Sequence, residues 1–439
     1  MNTFTDFKTN PINGQVSFTV NDVDIAIINA VRRVMLSELP NVAVRFNAGD
    51  IEKALTESDI EFIENTTCLH NEFLGHRISL IPIHIEEDEL ENYDSEKYTF
   101  VINIHNQTHE VLYVTTKDIV AYDADGQEYP TSVRDKLFPV SPITGDAIYI
   151  VALNPNHYNT DFGDKLHVRF KASVGTAQEH ARFSPVSCCT FFNVIDRQKA
   201  EEAKRLLIEK TEEAMKKKEV GRQNMTAEEK EKLSRRFDVH DAFRYYVKNE
   251  ETDEVAAVRF TIESECRLSV RYLFAKSLDV LVQKLQKVMK PNRYAITRLG
   301  EADSMVYSIL IKHEQHTLGN LMQTLMYNMY VREASDLEFV GYYLPHPLVD
   351  EIIMKLHFTK GHDAYKTVDG VRAFYETSIK RMQTILRDLK KVWVESYDTQ
   401  MKNVPLTEWS DLSVKKEQEK SKKVSDSKKK SVVKKTTKK

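Results

Sequence analysis

Apolar residues in the stretch Asp24–Leu39 recur at three- and four-residue steps, at Ile27, Ile28, Val31, Val34 and Met35. That spacing sets them on one face of a helix and leaves the adjacent Arg32 and Arg33 off it, as charges that want partners. A short apolar strand, Val16–Val20, precedes the helix, and Pro40 ends it because proline cannot donate the next helical hydrogen bond. Far downstream the arrangement returns. A strand over Val306–Ile311 leads into a helix from Thr317 to about Tyr330, striped by Leu318, Leu321, Met322, Leu325, Met326 and Met329. Thr317 is its expected N-cap, helped by Asn320, and Gly319, lacking a Cβ, permits close helix approach.

Between these stretches, Val42–Phe46 reads as a strand and Asn47–Asn65 as a polar loop followed by a short helix. Cys68–Ile83 carries a helical pattern in which Leu69, Phe73 and Ile78 alternate with His70, Glu72, His76 and Arg77, until Pro82 stops it. An acidic loop, Glu86–Glu96, gives way to β-prone runs between Tyr98 and Phe170, separated by Asn, Asp, Gly and Pro clusters, with His180–Phe192 as the closing segment. Asp196–Arg236 is charged and helix-prone, is broken by Gly221 and lacks a regular heptad, which favours a solvated surface helix pair over a coiled coil. Strand character returns at Ala256–Ile262, and Leu268–Lys290 is a long helix ended by Pro291. Residues 291–304 are short, polar and read as a linker; Leu337–Leu344 and Ile352–Phe358 read as strands, and Val371–Val394 as a long amphipathic helix.

The expected fold class is α+β. A first module covers 1–48 and 255–290, interrupted by a β-rich inserted domain over 49–254 that contains the charged stretch 197–236; the second module covers 305–395, and a basic disordered tail 396–439. Each module is a strand, a helix, more strand and a closing helix. Two such modules can bury their uncovered apolar faces against each other as an intrachain pseudo-dimer about a pseudo-twofold axis.

The hydrophobic share of 41% is ordinary for a globular chain. No run of about 18 apolar residues exists and the N-terminus lacks a signal-peptide segment, so a soluble, unexported chain is expected. Net charge is −4, but from Lys415 onward twelve lysines face only Glu417, Glu419 and Asp426, which leaves the rest of the chain acidic. The tail reads as a nucleic-acid contact, an import signal or a disordered solubilising segment. Cys68, Cys188, Cys189 and Cys266 are too few and scattered for a disulfide framework or a four-cysteine zinc site, and read as buried thiols.

The chain offers two histidine groupings and the question of a phosphate-binding loop as candidate sites. His70 and His76 with Glu72 are six apart, about 120° out of line on a helix, and make a poor metal site. His313, His316 and His346 precede a helix or sit in a proline turn, where backbone hydrogen bonds are their usual fate, and no GxSxG nucleophile motif accompanies them. Neither GxGxxG nor GxxxxGK[ST] occurs. No catalytic residue, metal or cofactor is expected. A nucleic-acid-binding protein working through its tail is the alternative reading, and an enzyme with a hidden metal site the third.

Several ordered segments carry a resemblance. Asn29–Pro40 and Leu69–Ile83 resemble the first-helix and second signatures of the alpha-like assembly subunits of multisubunit DNA-directed RNA polymerases, and Ala177–Val186 and Phe260–Ser264 are similar to segments that close the family's inserted domain and re-enter its dimerisation domain. His313–Met322 and Val340–Leu348 resemble the signatures of the smaller partner, the archaeal L type and its eukaryotic equivalents. The two look fused, larger partner first, as in large nucleocytoplasmic DNA viruses. The cysteine cluster that holds zinc in some relatives has no match in Ile85–Tyr98.

The resemblance implies a non-catalytic platform for the two largest polymerase subunits, with small polymerase subunits as further partners, DNA contacted only through the complex, no membrane and no homodimer. Arg32, Arg33, Glu72, His76 and Arg77 would face a large subunit. Ile28, Val31, Met35, Leu318, Gly319, Leu321, Met322 and Leu325 would form the internal pseudo-dimer. The implied setting is the nucleus or cytoplasm of a host cell, or a virion.

Overall fold

The computed structural model describes residues 3–10, 14–47, 58–141, 143–155, 163–218, 225–264, 268–301, 304–359 and 363–401. The chain begins with strands β1 (Phe4–Asn10) and β2 (Gln15–Asn21), helix α1 (Ile25–Ser37) and strand β3 (Pro40–Ala43). A β-rich stretch follows: β4 (Ile60–Asn65), α2 (Asn71–Ser79), β5 (Thr99–His105), β6 (Leu112–Thr115), β7 (Val120–Tyr122), α3 (Thr131–Leu137), β8 (Tyr149–Leu153), β9 (Lys165–Lys171) and β10 (Ser173–Thr176). Then come β11 (Val186–Asn193), two charged helices α4 (Arg197–Lys218) and α5 (Ala227–His240), β12 (Ala257–Ser264) and α6 (Val270–Lys287). The last part is β13 (Tyr294–Leu299), β14 (Val306–Lys312), α7 (His316–Met326), β15 (Leu337–Tyr343), β16 (Glu351–Phe358) and α8 (Val368–Met401).

Two four-stranded antiparallel sheets have the same plan. One runs β1-β2-β12-β11 and the other β13-β14-β16-β15, each with a helix after its second strand and another after its last. The two-residue period explains the layering. In β2, Val16, Phe18 and Val20 are buried, and β12 answers with Val258, Phe260 and Ile262. Tyr307, Ile309 and Ile311 of β14 and Ile352, Met354, Leu356 and Phe358 of β16 do the same in the second module. Helix α1 packs on α7, and α6 on α8, so the helices that cover each sheet also cover those of the other module. The inserted unit is a separate sheet, β4-β9-β5-β7, with a two-stranded β6-β8 ladder, tied to the first module by the β3-β10 ribbon.

The strand pairing corrects three sequence expectations and adds a strand. Residues 60–65 form an edge strand on β9, not a short helix, with Ile60 and Phe62 packed against the core. Residues 294–299, read as linker, pair along their whole length with β14. Strand β11, read as the close of the inserted domain, pairs with β12 and belongs to the first module's sheet, so α4 and α5 leave from that module. Strand β1 was not anticipated: its register shifts between Thr5 and Lys8, and Asp6 has φ +51°, which brings Phe4 and Phe7, three apart, onto the same aromatic cluster and erases the two-residue signal. Residues 396–401, expected as the start of the disordered tail, are the last turns of α8, with Tyr397 and Met401 buried; the rest of the tail, 402–439, and Gly221, Cys266 and residues 48–57 lie outside the described residues.

Candidate functional site

The seam between modules starts at the N-cap of α1. One oxygen of Asp24 accepts from Ala26 N–H at 2.7 Å, satisfying a helix donor, and the other accepts from Asn328 Nδ2 at 3.0 Å across the seam. Ile28, Val31, Leu318, Leu321 and Met322 are fully buried and Leu325 is 5% exposed. Met35, assigned with them, is fully buried and lies 3.5 Å from Cys189 Sγ in its own module's sheet. Gly319 is required by its own module too: a Cβ there would come within 2.6 Å of the Tyr342 ring, so the close approach is helix to strand rather than helix to helix.

Thr317 is not the N-cap. Helix α7 begins one residue earlier after Gln315, whose side chain makes no cap bond, and Thr317 Oγ1 accepts from Arg33 Nε at 2.7 Å. Arg33 thereby serves the seam rather than facing wholly outward. Arg32 turns to Asn29 Oδ1 on its own helix, at 3.1 and 3.0 Å.

Beneath the seam Lys284 Nζ sits 2.7 Å from Glu38 and 3.1 Å from Glu314. Burial pushes the Glu314 carboxyl above its usual range against the pull of Lys284. Burial also opposes the charge on Lys284, but Glu314 and Glu38 outweigh it and its ammonium is held above the ordinary lysine range. Further out, Lys390 pairs with Asp279 at 2.6 Å and Arg271 with Asp398 at 2.7 Å, both between α6 and α8.

Sequence reasoning missed the centre of the seam, which is Trp393. It is fully buried, its ring centroid 5.0, 4.7 and 4.3 Å from those of Phe4, Phe18 and Phe274 of the first module, and its indole N–H donates to Arg271 O at 3.0 Å. A tryptophan at the end of an apolar stripe was the available signal. The stripe gave no direction across modules.

On α2 the buried large apolar side chains are Leu74 and Ile78, four apart, and Phe73 points outward at 58% exposure, with Leu80 at 60%. Glu72 and His76 are exposed beside them. Arg77, although exposed, reaches across to the inserted unit: it donates to the carbonyls of Ile150 and Tyr149 at 2.8 and 3.0 Å, with its guanidinium 5.3 Å from the Tyr149 ring centroid. Gly75 lets α2 lie on Phe46, since a Cβ would meet that ring at 2.4 Å.

His316 Nδ1 lies 3.1 Å from Tyr342 Oη, and His346 accepts from Leu348 N–H at 3.1 Å. Among the described residues no group of three or more His, Cys, Asp or Glu is placed to hold a metal, and no helix is long and apolar enough to cross a membrane. Of the cysteines, Cys189 is buried and its thiol is pushed up to about 12 by burial, whereas Cys188 is half-buried and Cys68 exposed, contrary to their reading as core residues.

Residues 17–285 match the RNA polymerase Rpb3/Rpb11 dimerisation domain, and residues 307–390 match a domain of the same description. The chain is 24% identical over 221 residues to the DNA-directed RNA polymerases I and III subunit RPAC1 of Saccharomyces cerevisiae, covering 44% of this chain and 58% of that protein. It is 24% identical over 184 residues to the DNA-directed RNA polymerase subunit Rpo3 of Methanobrevibacter smithii, covering 40% of this chain and 54% of that one. With Rpo3 of Pyrococcus horikoshii the identity is 27% over 172 residues, 39% and 52% of the two chains. The chain thus spans a little over half the length of these relatives.

Proposed function

We propose that this chain, which belongs to the RNA polymerase Rpb3/Rpb11 dimerisation-domain family, is the assembly-platform subunit of a DNA-directed RNA polymerase, without catalytic residues of its own. The two largest subunits associate on it for DNA-templated transcription, small polymerase subunits join them, and DNA is reached through the complex. One observation carries the reading: both halves match the dimerisation domain and are folded on each other within one chain. Pairing surfaces that two chains would have to find by collision are held together at high effective concentration. The fused order, larger partner first, supports placing it in the polymerase of a large nucleocytoplasmic DNA virus, at work in a host cell.

The platform contact is assigned to the outer face of α2. Phe73 and Leu80 expose apolar surface flanked by Glu72 and His76, the pattern of an anchor with a polar rim. Arg32 supplies a second contact from α1; Arg33 and Arg77 contribute through the seam and the inserted unit that position those faces. The test is purification of the tagged chain with the polymerase. Wild type should bring down both largest subunits, including the chain with the active-site aspartates, and Phe73→Asp with Leu80→Asp should lose a large subunit while the chain itself melts as wild type. Retention of both large subunits by that variant would reassign the contact, and their absence from the wild-type purification would sink the platform reading.

A further inference from the structure

A cleft of about 510 Å³ opens beside the seam, a size within the range of small-ligand sites of roughly 300–1,000 Å³. Lys276, Lys284 and Lys287 of α6 line one side, and Arg293, Lys312 and Glu314 of the second module line the other. Lys276 is occupied by Glu91 at 2.7 Å, and Lys284 by Glu38 and Glu314. Lys287, Arg293 and Lys312 have no ion-pair partner among the described residues. Two of them are fixed side by side, because Lys312 N–H donates to Arg293 O at 2.9 Å where β13 and β14 meet. Glu38 and Glu314 share one lysine, so one negative charge at the floor faces three positive charges around it. Three cations around one uncompensated carboxylate leave a positive excess, which an anion bridging them would balance.

We propose that this cleft binds a small multivalent anion of the polyphosphate class, its terminal oxygens spanning Lys287 on the first module and Arg293 and Lys312 on the second. The guanidinium fork of Arg293 suits two oxygens of one phosphate, and the lysines act as point charges on the next. Because both modules line the site, the ligand clamps the seam and stabilises the folded chain by mass action.

The test is thermal unfolding of the full chain with inorganic tripolyphosphate, against sodium chloride at matched ionic strength. Tripolyphosphate should raise Tm to a plateau that chloride does not reach, and Arg293→Ser with Lys312→Ser should abolish the rise. The lysine-rich tail is present in both proteins, so anion bound there shifts both alike, and equal shifts would overturn the proposal, as would no shift in wild type. Should the double variant melt low without anion, calorimetric titration of Lys287→Ser, at an exposed helix position, gives the same reading. Its affinity for tripolyphosphate should fall roughly tenfold or more, as loss of one charged hydrogen bond implies, and unchanged affinity would refute the site. A parallel titration with ATP separates a free polyphosphate ligand from a nucleotide one. Rim-dependent binding of a poly-glutamate peptide in place of tripolyphosphate would likewise overturn the assignment.

Discussion

Lys284 is the residue on which the seam's charge balance turns, because its ammonium bridges the half-buried carboxylate of Glu38 and the buried one of Glu314. Lys284→Ala should cost about 3–5 kcal/mol, the usual result of stranding buried charge, measured by urea unfolding. The pH dependence has a definite sign. Glu314, raised by burial against the pull of Lys284 and Arg293, favours its protonated form in the folded state, so its contribution is fully present below the ordinary glutamate range and is lost as pH rises through its higher folded value. Glu314→Gln should flatten the fall in stability just above the carboxylate range; an unchanged profile would show that Glu314 does not carry it. The same scale explains why Arg32 and Arg33 were misread as one surface. Adjacent helix positions diverge by about 100°, so one guanidinium reached Asn29 and the other crossed to Thr317.

Among elements, α8 has the largest task. Its 34 residues span about 50 Å, closing its own sheet at Phe374 and the other module's at Trp393. Trp393→Ala should lower stability by about 3–5 kcal/mol and should loosen Phe4 and Phe18 together, seen as faster hydrogen exchange in β1 and β2. Exchange confined to α8 would mean that the cluster is not shared. Elements with a clean period were legible: α1, α6, β14 and β16 stand within a few residues of where alternation or three-four spacing put them. Those the sequence hid have physical reasons. The bulge in β1 breaks its alternation, and β13 shows only half-buried and exposed positions, so it carries too little apolar contrast to stand out from a linker. The π-helical turn Tyr327–Glu333 extends α7 with altered spacing, and Asn328 reaches Asp24 from it. The outward turn of Phe73 was hidden because Leu74, its neighbour, is equally apolar and only packing decides between them.

For the whole molecule, a seam closed within one chain predicts a monomer: sedimentation should give a single-chain mass, and the midpoint of urea unfolding should not move with protein concentration, as it would if two copies exchanged modules. A midpoint that rises with concentration would reveal pairing between chains. The sharing of Trp393 also has a consequence in time. Phe4 waits for a ring that is translated 389 positions later, and Gln400, which donates to the Phe4 carbonyl at 3.0 Å, arrives later still. At the usual pace of synthesis that delay is about 20–80 s. Throughout it the first strand's aromatic face has no lid, so a nascent first module is a natural chaperone client, and the N-terminus settles only when the far end of the chain has been made.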